Sequence, residues 1–451
     1  MIAAEQSDEW EEVAGWRGGL EALHARIAAR FKRVRVRRYV AALLERVDRK
    51  NGWQRAEQLG ESGPQGVQRL LNTARWDADA VRDDLRDYVV EHLGDADGVL
   101  IIAESGVLKK GTQSVGVKRQ DSGTAGRVEN GQVGVFLAYA SARGRAFLDR
   151  ALYLPQEWAA DAARRAEAGV PPEVAFATKG ALARAMLARA FAAGVPAAWV
   201  TGDEVYGDDG GVRGWLEEQR RPYVLAVSCA HHIQDGPYRG RVAGIVAELP
   251  EEAWIQLSAG AGSQGPRLCD GACGRLPETS APGMAHGVLV RRSLSDPTDL
   301  AYYRASGPEG TPLEDLVRVA GTRWAIEESI KGAKGEAGLD HYQVRRWDAW
   351  YRHITLALLA HAYLEVTRAA DTTAPLLTDG AKKGTVQVRF LNLEDRSRPV
   401  NADALVDTGA DVTSVPDTLI DLLSIDVELL STVDVGGSAE KRRFFAMRAC
   451  R

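Results

Sequence analysis

Residues 321–340 read GTRWAIEESIKGAKGEAGLD, and the assignment of the whole chain turns on them. Apolar positions recur at helical spacing, and Arg323, Glu327 and Lys334, four and then seven residues apart, project from one side of such a helix. One carboxylate therefore sits between two cations. An isolated Arg-x3-Glu on a helix surface is ordinary i,i+4 pairing. It becomes functional when carboxylates from strands upstream converge with Glu327 to hold a divalent ion against a phosphate.

The 451 residues are enough for two or three domains and a large core, and 45% hydrophobic with 26% charged residues is ordinary for a soluble protein. A net charge of -5 excludes a uniformly basic nucleic-acid coat, so any DNA contact must come from local clusters. Four cysteines are too few for a disulfide scaffold and suit a reducing cytoplasm. Cys269-x3-Cys273, with Cys229, His231 and His232 upstream, supplies soft donors, but their spacing is not that of paired zinc knuckles. The chain opens without a signal-peptide pattern. The apolar run 181–200 is interrupted by Arg184 and Arg189 and reads as a helix followed by a strand, not a membrane span.

Residues 8–95 carry apolar positions at spacings of three and four and are expected to be helical throughout. They contain the densest basic run of the chain, with Arg26, Arg30, Lys32, Arg33, Arg35, Arg37 and Arg38. Such a run is either a solvated helix face or a surface for nucleic-acid phosphate. Lys50 to Gln54 breaks one helix and caps the next, with its polar side chains expected at the surface. DGVLIIA, residues 97–103, reads as a buried central strand. A catalytic acid is expected where it ends, and the residue there is Ala103. Glu104 should face the other way, because side chains alternate along a strand. Runs 132–140 and 146–154 form a hairpin around Ser141 to Gly144, preceded by a polar loop, 119–132, with Arg127. After a helix at 179–193, a strand at 197–201 ends in Gly202-Asp203-Glu204. Asp203 is then either a ligand group at the carboxyl end of a buried strand or the N-cap of a helix over 211–219. Tyr223 to Val227 is a further strand, and the Gly- and Pro-rich stretch beyond it has strand candidates at 253–257, 287–291 and 300–304.

The order strand, hairpin, helix, strand, helix, strand, insertion, acidic helix is that of an RNase H-like nuclease core. Trp199 to Gly207 (WVTGDEVYG), Arg323-x3-Glu327 with Lys334, and 347–360 (WDAWYRHITLALLA) resemble DDE-superfamily insertion-sequence transposases with a Tyr-Arg-Glu-Lys signature. Lys109-Lys110-Gly-Thr, Ser122 to Arg127 and Arg291 to Thr298 look like further segments of that group, and the resemblance spans roughly residues 15–368. It implies an α/β fold: a helical DNA-binding domain at 1–95, an RNase H-like core at 96–229 and 313–368, and a β-rich insertion at 230–312. A linker at 369–384 and a small all-β appendage at 385–451 follow.

The resemblance further implies that Asp203 and Glu327 are the second and third acids of a metal-binding triad, with Arg323 and Lys334 as the signature cations. Mg2+ (or Mn2+) would be the cofactor, and double-stranded DNA, as transposon ends and target, the partner. Arg30, Lys32, Arg33, Arg35, Arg37, Arg38, Lys109, Lys110 and Arg127 are the expected DNA contacts. A homodimer forms on DNA in this reading, in a bacterial cytoplasm at the nucleoid and away from any membrane. Two departures stand out: the signature Tyr falls at Ala320, and the first acid falls at Ala103. The expected function is therefore a transposase impaired in cleavage, or a DNA-binding protein that has lost the chemistry.

A third reading comes from the tail. Asp407-Thr408-Gly409, after an apolar strand and before Ala-Asp-x-Thr-Ser, resembles the active-site turn of retropepsin-like aspartic proteases, in which two such Asp residues share a proton. The segment is read as a partial protease core, with Gly436-Gly437 near its flap, and as inert.

Overall fold

The computed structural model describes residues 18–31, 35–44, 50–122, 127–235, 238–262, 265–276 and 281–372, with the backbone of strands 385–390, 400–405, 428–433 and 442–446. It divides into one unit of residues 1–261 and 266–374 and a second of residues 262–265 and 375–451.

The first unit opens with helices α1 (18–28), α2 (Arg35–Leu44), α3 (Gly52–Gln58), α4 (Gln65–Asn72) and α5 (Ala78–Leu93). Asn51 and Asp77 cap α3 and α5 by accepting backbone N–H groups of the first turn, which locates these helix starts in the sequence. Strands β1 (Val99–Leu108), β2 (Lys118–Ser122), β3 (Arg127–Ser141) and β4 (Gly144–Leu152) follow, then helices α6 (Gln156–Ala160), α7 (Ala162–Ala168) and α8 (Lys179–Ala192). Next come β5 (Trp199–Gly202), α9 (Glu204–Gly207), α10 (Gly210–Glu218) and β6 (Tyr223–Val227). The pair β7 (His232–Asp235) and β8 (Tyr238–Arg241), α11 (Val242–Ala247), and strands β9 (Ile255–Gly262), β10 (Gly265–Leu276), β11 (Met284–Ser293) and β12 (Leu300–Pro308) lead to two long helices, α12 (Leu313–Ala337) and α13 (Trp347–Thr372).

Ten of these strands form one mixed sheet in the order β4-β3-β1-β5-β6-β12-β11-β10-β9, with β2 alongside the first half of β3. Strand β1 is antiparallel to β3 and parallel to β5, and β5 is parallel to β6. This large mixed sheet with helices is consistent with an RNase H-like fold. The stretch expected as an insertion does form strands, and β12, β11, β10 and β9 continue the sheet beyond β6. Of the stretch 119–132 expected as loop, residues 119–122 belong to the edge strand β2 and 127–132 open β3, the two pairing with each other.

One hydrophobic core runs from Leu23 in α1 to Val366 in α13, so the helices before β1 share it with the sheet. Helix α13 is buried on nearly every side over its middle, from Trp350 through the apolar run Leu356–Ala360 to Tyr363, with His353, Thr355 and His361 buried along with it. Lys50, expected at the surface, is only 3% exposed, and its Nζ donates to the carbonyls of Leu43 and Glu336. Those carbonyls belong to the last turns of α2 and α12, where the helix dipoles favour a cation. Among the described residues no helix is long and apolar enough to cross a membrane.

In the second unit, β13 (Thr385–Phe390) pairs antiparallel with β14 (Val400–Leu405), and β15 (Glu428–Val433) with β16 (Arg442–Ala446). Asp407, Thr408, Gly409, Gly436 and Gly437, like Lys32 and Arg33 in the first unit, lie outside the described residues.

Helix α12 lies directly on β9. A Cβ on Gly321 would stand 1.9 Å from the carbonyl oxygen of Ala259, a backbone atom that no rotamer change can move. Gly321→Ala gains up to about 1 kcal/mol of helix propensity but forces the helix off the strand, an overpacking cost of about 1–3 kcal/mol or more. Gly335→Ala, on the same helix where an added Cβ would meet no atom within 4 Å, should instead stabilise by up to about 1 kcal/mol. Urea midpoints should thus move in opposite directions for the two variants, and a Gly321→Ala midpoint at or above wild type would show that α12 does not rest on β9.

Candidate functional site

The site is built where the pairing of β1 with β5 ends; β1 itself, expected to stop at Ala103, runs on to Leu108 beside β3. In the parallel β1–β5 register Ile102 pairs with Gly202, so Ala103 and Asp203 occupy the next position, at the carboxyl edge where α/β sheets place ligand groups. Strand β5 stops at Gly202 because Asp203 turns the chain: its Oδ1 accepts the N–H of Val205 at 3.0 Å and starts the single turn α9. The helix over 210–218 has its own cap, Asp209, so Asp203 is an N-cap, but of a nearer and shorter helix than the sequence suggested. Gly207 lets α9 close against β6, since a Cβ there would meet the Ala226 carbonyl at 1.7 Å.

Ala103 pairs with Phe136 across the β1–β3 ladder and shares its face. Phe136 packs edge-on against Phe147, whose ring lies 5.5 Å from His361 of α13, so this is the face covered by α13. Glu104 takes the opposite face and forms an ion pair with Lys179 at the start of α8, whose Nζ lies 2.8 Å from Oε1 and 2.6 Å from Oε2. Even so, Glu104 is electrostatically coupled to Asp203. Burial pushes the Asp203 carboxyl up to about 6, and the charge of Glu104 is the next largest cause, while the Val205 N–H and the charges of Arg323 and Lys179 oppose it. The hydroxyl of Tyr206, fully buried beside these two carboxylates, makes no hydrogen bond, and burial first and their charges second raise the phenol well above its usual value.

Helix α12 brings the basic groups. Arg323 Nη1 donates to Glu327 Oε1 at 3.0 Å, and the Glu327 side chain is 62% exposed. Arg323 thus links Glu327 to the field at Asp203, while Glu327 is not itself among the charges that move Asp203. Lys334, two turns on, donates to the Gly106 carbonyl of β1 at 3.3 Å, and burial lowers its ammonium pKa. Lys109 reaches the Tyr342 carbonyl at 2.9 Å with its Nζ 3.6 Å from that ring, and burial pushes it down to about 8, opposed by Asp340. Lys110 is exposed.

The N-terminal basic run is largely engaged within the fold. Arg30 forms a two-bond fork with Asp84 at 2.8 and 2.9 Å, Arg37 pairs with Glu21, and Arg38 donates to the Leu59 carbonyl at 2.6 Å. Arg35 and Arg127 are placed by their backbones, at the first positions of α2 and β3. Cys269 and Cys273 stand four residues apart along β10, roughly 13 Å at strand rise, and no three His, Cys, Asp or Glu side chains gather as a metal cluster among the described residues. Sequence reasoning missed Lys179, because nothing local ties it to a carboxylate 75 residues earlier; its only signal is its place at the capped start of α8, behind Thr178.

Residues 22–237 match the family model for the DDE superfamily endonuclease. The chain is also 25% identical over 299 residues to a probable transposase for insertion sequence element IS701 from Microchaete diplosiphon, covering 65% of this chain and 72% of that protein.

The raised carboxyl of Asp203 fixes a sign. The folded chain holds a proton there between about pH 4 and pH 6 that the unfolded chain has released, so this group's contribution to stability falls as pH rises through that window. Asp203→Asn should therefore unfold at higher denaturant than wild type at pH 7.5, with the gap closing near pH 4. An equal midpoint at both pH values would mean that Asp203 ionises as freely as in water.

Proposed function

We propose that the chain is a DNA transposase of the DDE type by descent, which binds insertion-sequence ends as a pair of chains and is impaired in strand cleavage. The observation that carries this reading is the juxtaposition of Ala103 on β1 and Asp203, the residue after β5, just past the last pair of the β1–β5 ladder, beneath a helix bearing Arg323 and Glu327. The family match over 22–237 and the insertion-sequence relative support it.

The fold family implies divalent ions held by three carboxylates, and the donor set here does not fit them. Ala103 offers a methyl group in place of an oxygen. Glu104, the nearest substitute, is turned to the other face and held by the Lys179 ammonium. Glu327 accepts Arg323 on one oxygen and is otherwise exposed. Of these carboxylates, Asp203, raised toward neutrality, and Glu327 keep acceptor capacity unused, one short of the three acids that the family reading requires. What the present residues supply is position: Arg323 and Lys179 can turn to a phosphate only by releasing Glu327 and Glu104, and the buried Tyr206 hydroxyl is a donor without an acceptor among the described residues.

Incubating a transposon-end duplex with Mg2+ or Mn2+ and either wild type or Ala103→Asp tests this. The revertant should nick at least about 100-fold faster than wild type, since loss of a supporting partner alone costs up to that much at metal sites. Wild-type cleavage at a rate unaffected by Asp203→Ala would overturn the proposal.

A further inference from the structure

A second concave site lies on the other side of α12. It is a pocket of about 550 Å³ between the β3–β4 turn, the end of β9, the start of β10, and helices α12 and α13. Five arginines from five separate segments line it: Arg143 in the turn, Arg145 on β4, Arg267 on β10, Arg318 on α12 and Arg368 on α13. Against them stand two lining carboxylates, Glu328 and Glu365, a surplus of three positive charges. At about 100° per residue, Arg318, Thr322 and Ala325 fall on the face of α12 opposite Arg323, Glu327 and Lys334, so this pocket is not part of the site where the β1–β5 pairing ends.

Counting Glu336 and Asp315, which pair with these arginines from outside the lining, one positive charge of the cluster stays uncompensated. Glu328 is shared by Arg145 at 2.6 Å and Arg267 at 3.2 Å, and one carboxylate between two guanidiniums leaves donors over. Arg368 is held by Glu365 and Glu336, each at 2.6 Å, and Arg318 touches Asp315 at 3.4 Å. Arg143, exposed on the turn, makes no ion pair with any described residue. The field reaches the interior: His361, buried under the pocket, is pushed down to about 3 by burial and then by the charges of Arg368 and Arg145. Converging guanidiniums on rigid elements with spare N–H forks are what phosphate recognition requires, and a protein of net charge -5 that concentrates them in one concavity has given that surface a specific task.

We propose that this pocket is a second nucleic-acid site, seating backbone phosphates of a duplex on the face of α12 opposite Asp203 and Glu327. The inference rests on the transposase reading for the identity of the anion as DNA. Such a site would hold a DNA segment distinct from the one presented to the strand ends, fixing its position without reading its sequence.

The test uses the full chain and a fluorescent duplex, with affinity measured from 50 to 200 mM NaCl. Arg143→Ala combined with Arg318→Ala, both exposed positions, removes two phosphate contacts. It should weaken binding about tenfold and reduce the slope of log affinity against log salt by about two, because each contact contributes about 0.9 to that slope. Arg143→Ala and Arg318→Ala are also measured singly, and Arg275→Ala, an exposed arginine on β10 outside the pocket, is the charge-matched control for each single variant and should change affinity less than twofold. Thermal melts of each variant verify folding. Duplex binding by the double variant within twofold of wild type, or an equal loss in Arg275→Ala, overturns the pocket and leaves the transposase reading intact. No duplex binding by wild type overturns both. Stabilisation of wild type by tripolyphosphate that the duplex cannot displace would assign the pocket to a small anion and overturn the proposal as stated.

Discussion

The parallel pairing of β1 with β5 is the constraint on which the site depends. It sets Ala103 beside Asp203 by backbone hydrogen bonds alone, and it does so whatever side chains stand there. That explains how an architecture that brings carboxylates together can persist with a methyl group in one of the positions. The ladder from β3 through β1 and β5 to β6 is buried and apolar on both faces, and Ala103 packs there as readily as any small residue. A small apolar side chain at this position avoids the cost of a buried charge, so the scaffold accommodates it.

The same economy is visible where the helices meet the sheet. Arg150 on β4 is 1% exposed and is satisfied by Thr355 on α13 at 2.8 Å, by Asp79 at 2.8 Å and by the Ala78 carbonyl at 3.1 Å at the start of α5. Neighbouring Asp149, equally buried, receives Arg189 from α8 at 2.9 Å. These two residues tie the sheet to three helices through groups that would each be costly if one partner were lost. The helices ahead of β1 are fixed in the same way, with the Lys50 ammonium set across the carboxyl ends of α2 and α12. Those helices present to a partner only the side chains that this internal bonding leaves over, and the forked Arg30–Asp84 pair shows how the basic run is engaged within the fold.

How far the sequence could be read follows from how each element buries its surface. Strands β1, β5 and β6 and helices α8, α12 and α13 were legible because they are buried through continuous apolar runs or helical spacing, which leave a pattern. Strand β10, GPRLCDGACGRL, was not, because its glycines and cysteines break alternation and only the ladder with β11 keeps it extended. Strand β2, KRQDS, was lost for a related reason: a polar edge strand is defined by its neighbour and not by its own composition. At the site, Asp203 was legible from its place after a strand, while the Glu104–Lys179 pair was not, because an ion pair between distant segments has no local signature. Lys50 misled for the converse reason, since a buried lysine satisfied by carbonyls looks in sequence like any other turn residue.

Helix α12 now appears as a partition between two charged environments. On one side its Arg323 and Lys334 face strand ends where a carboxylate is held close to neutrality; on the other, Arg318 joins arginines from three strands and turns and from α13 around an open concavity. The helix is pinned between them by Gly321 on the β9 backbone and cannot rotate to exchange its faces. Two phosphate-attracting surfaces set back to back on one rigid helix keep any two bound anions at a fixed separation, because neither surface can move without the other. A chain that holds two segments of one polyanion at once, as proposed above, uses that geometry, and the face bearing Arg318 is the same whatever residue stands at position 103.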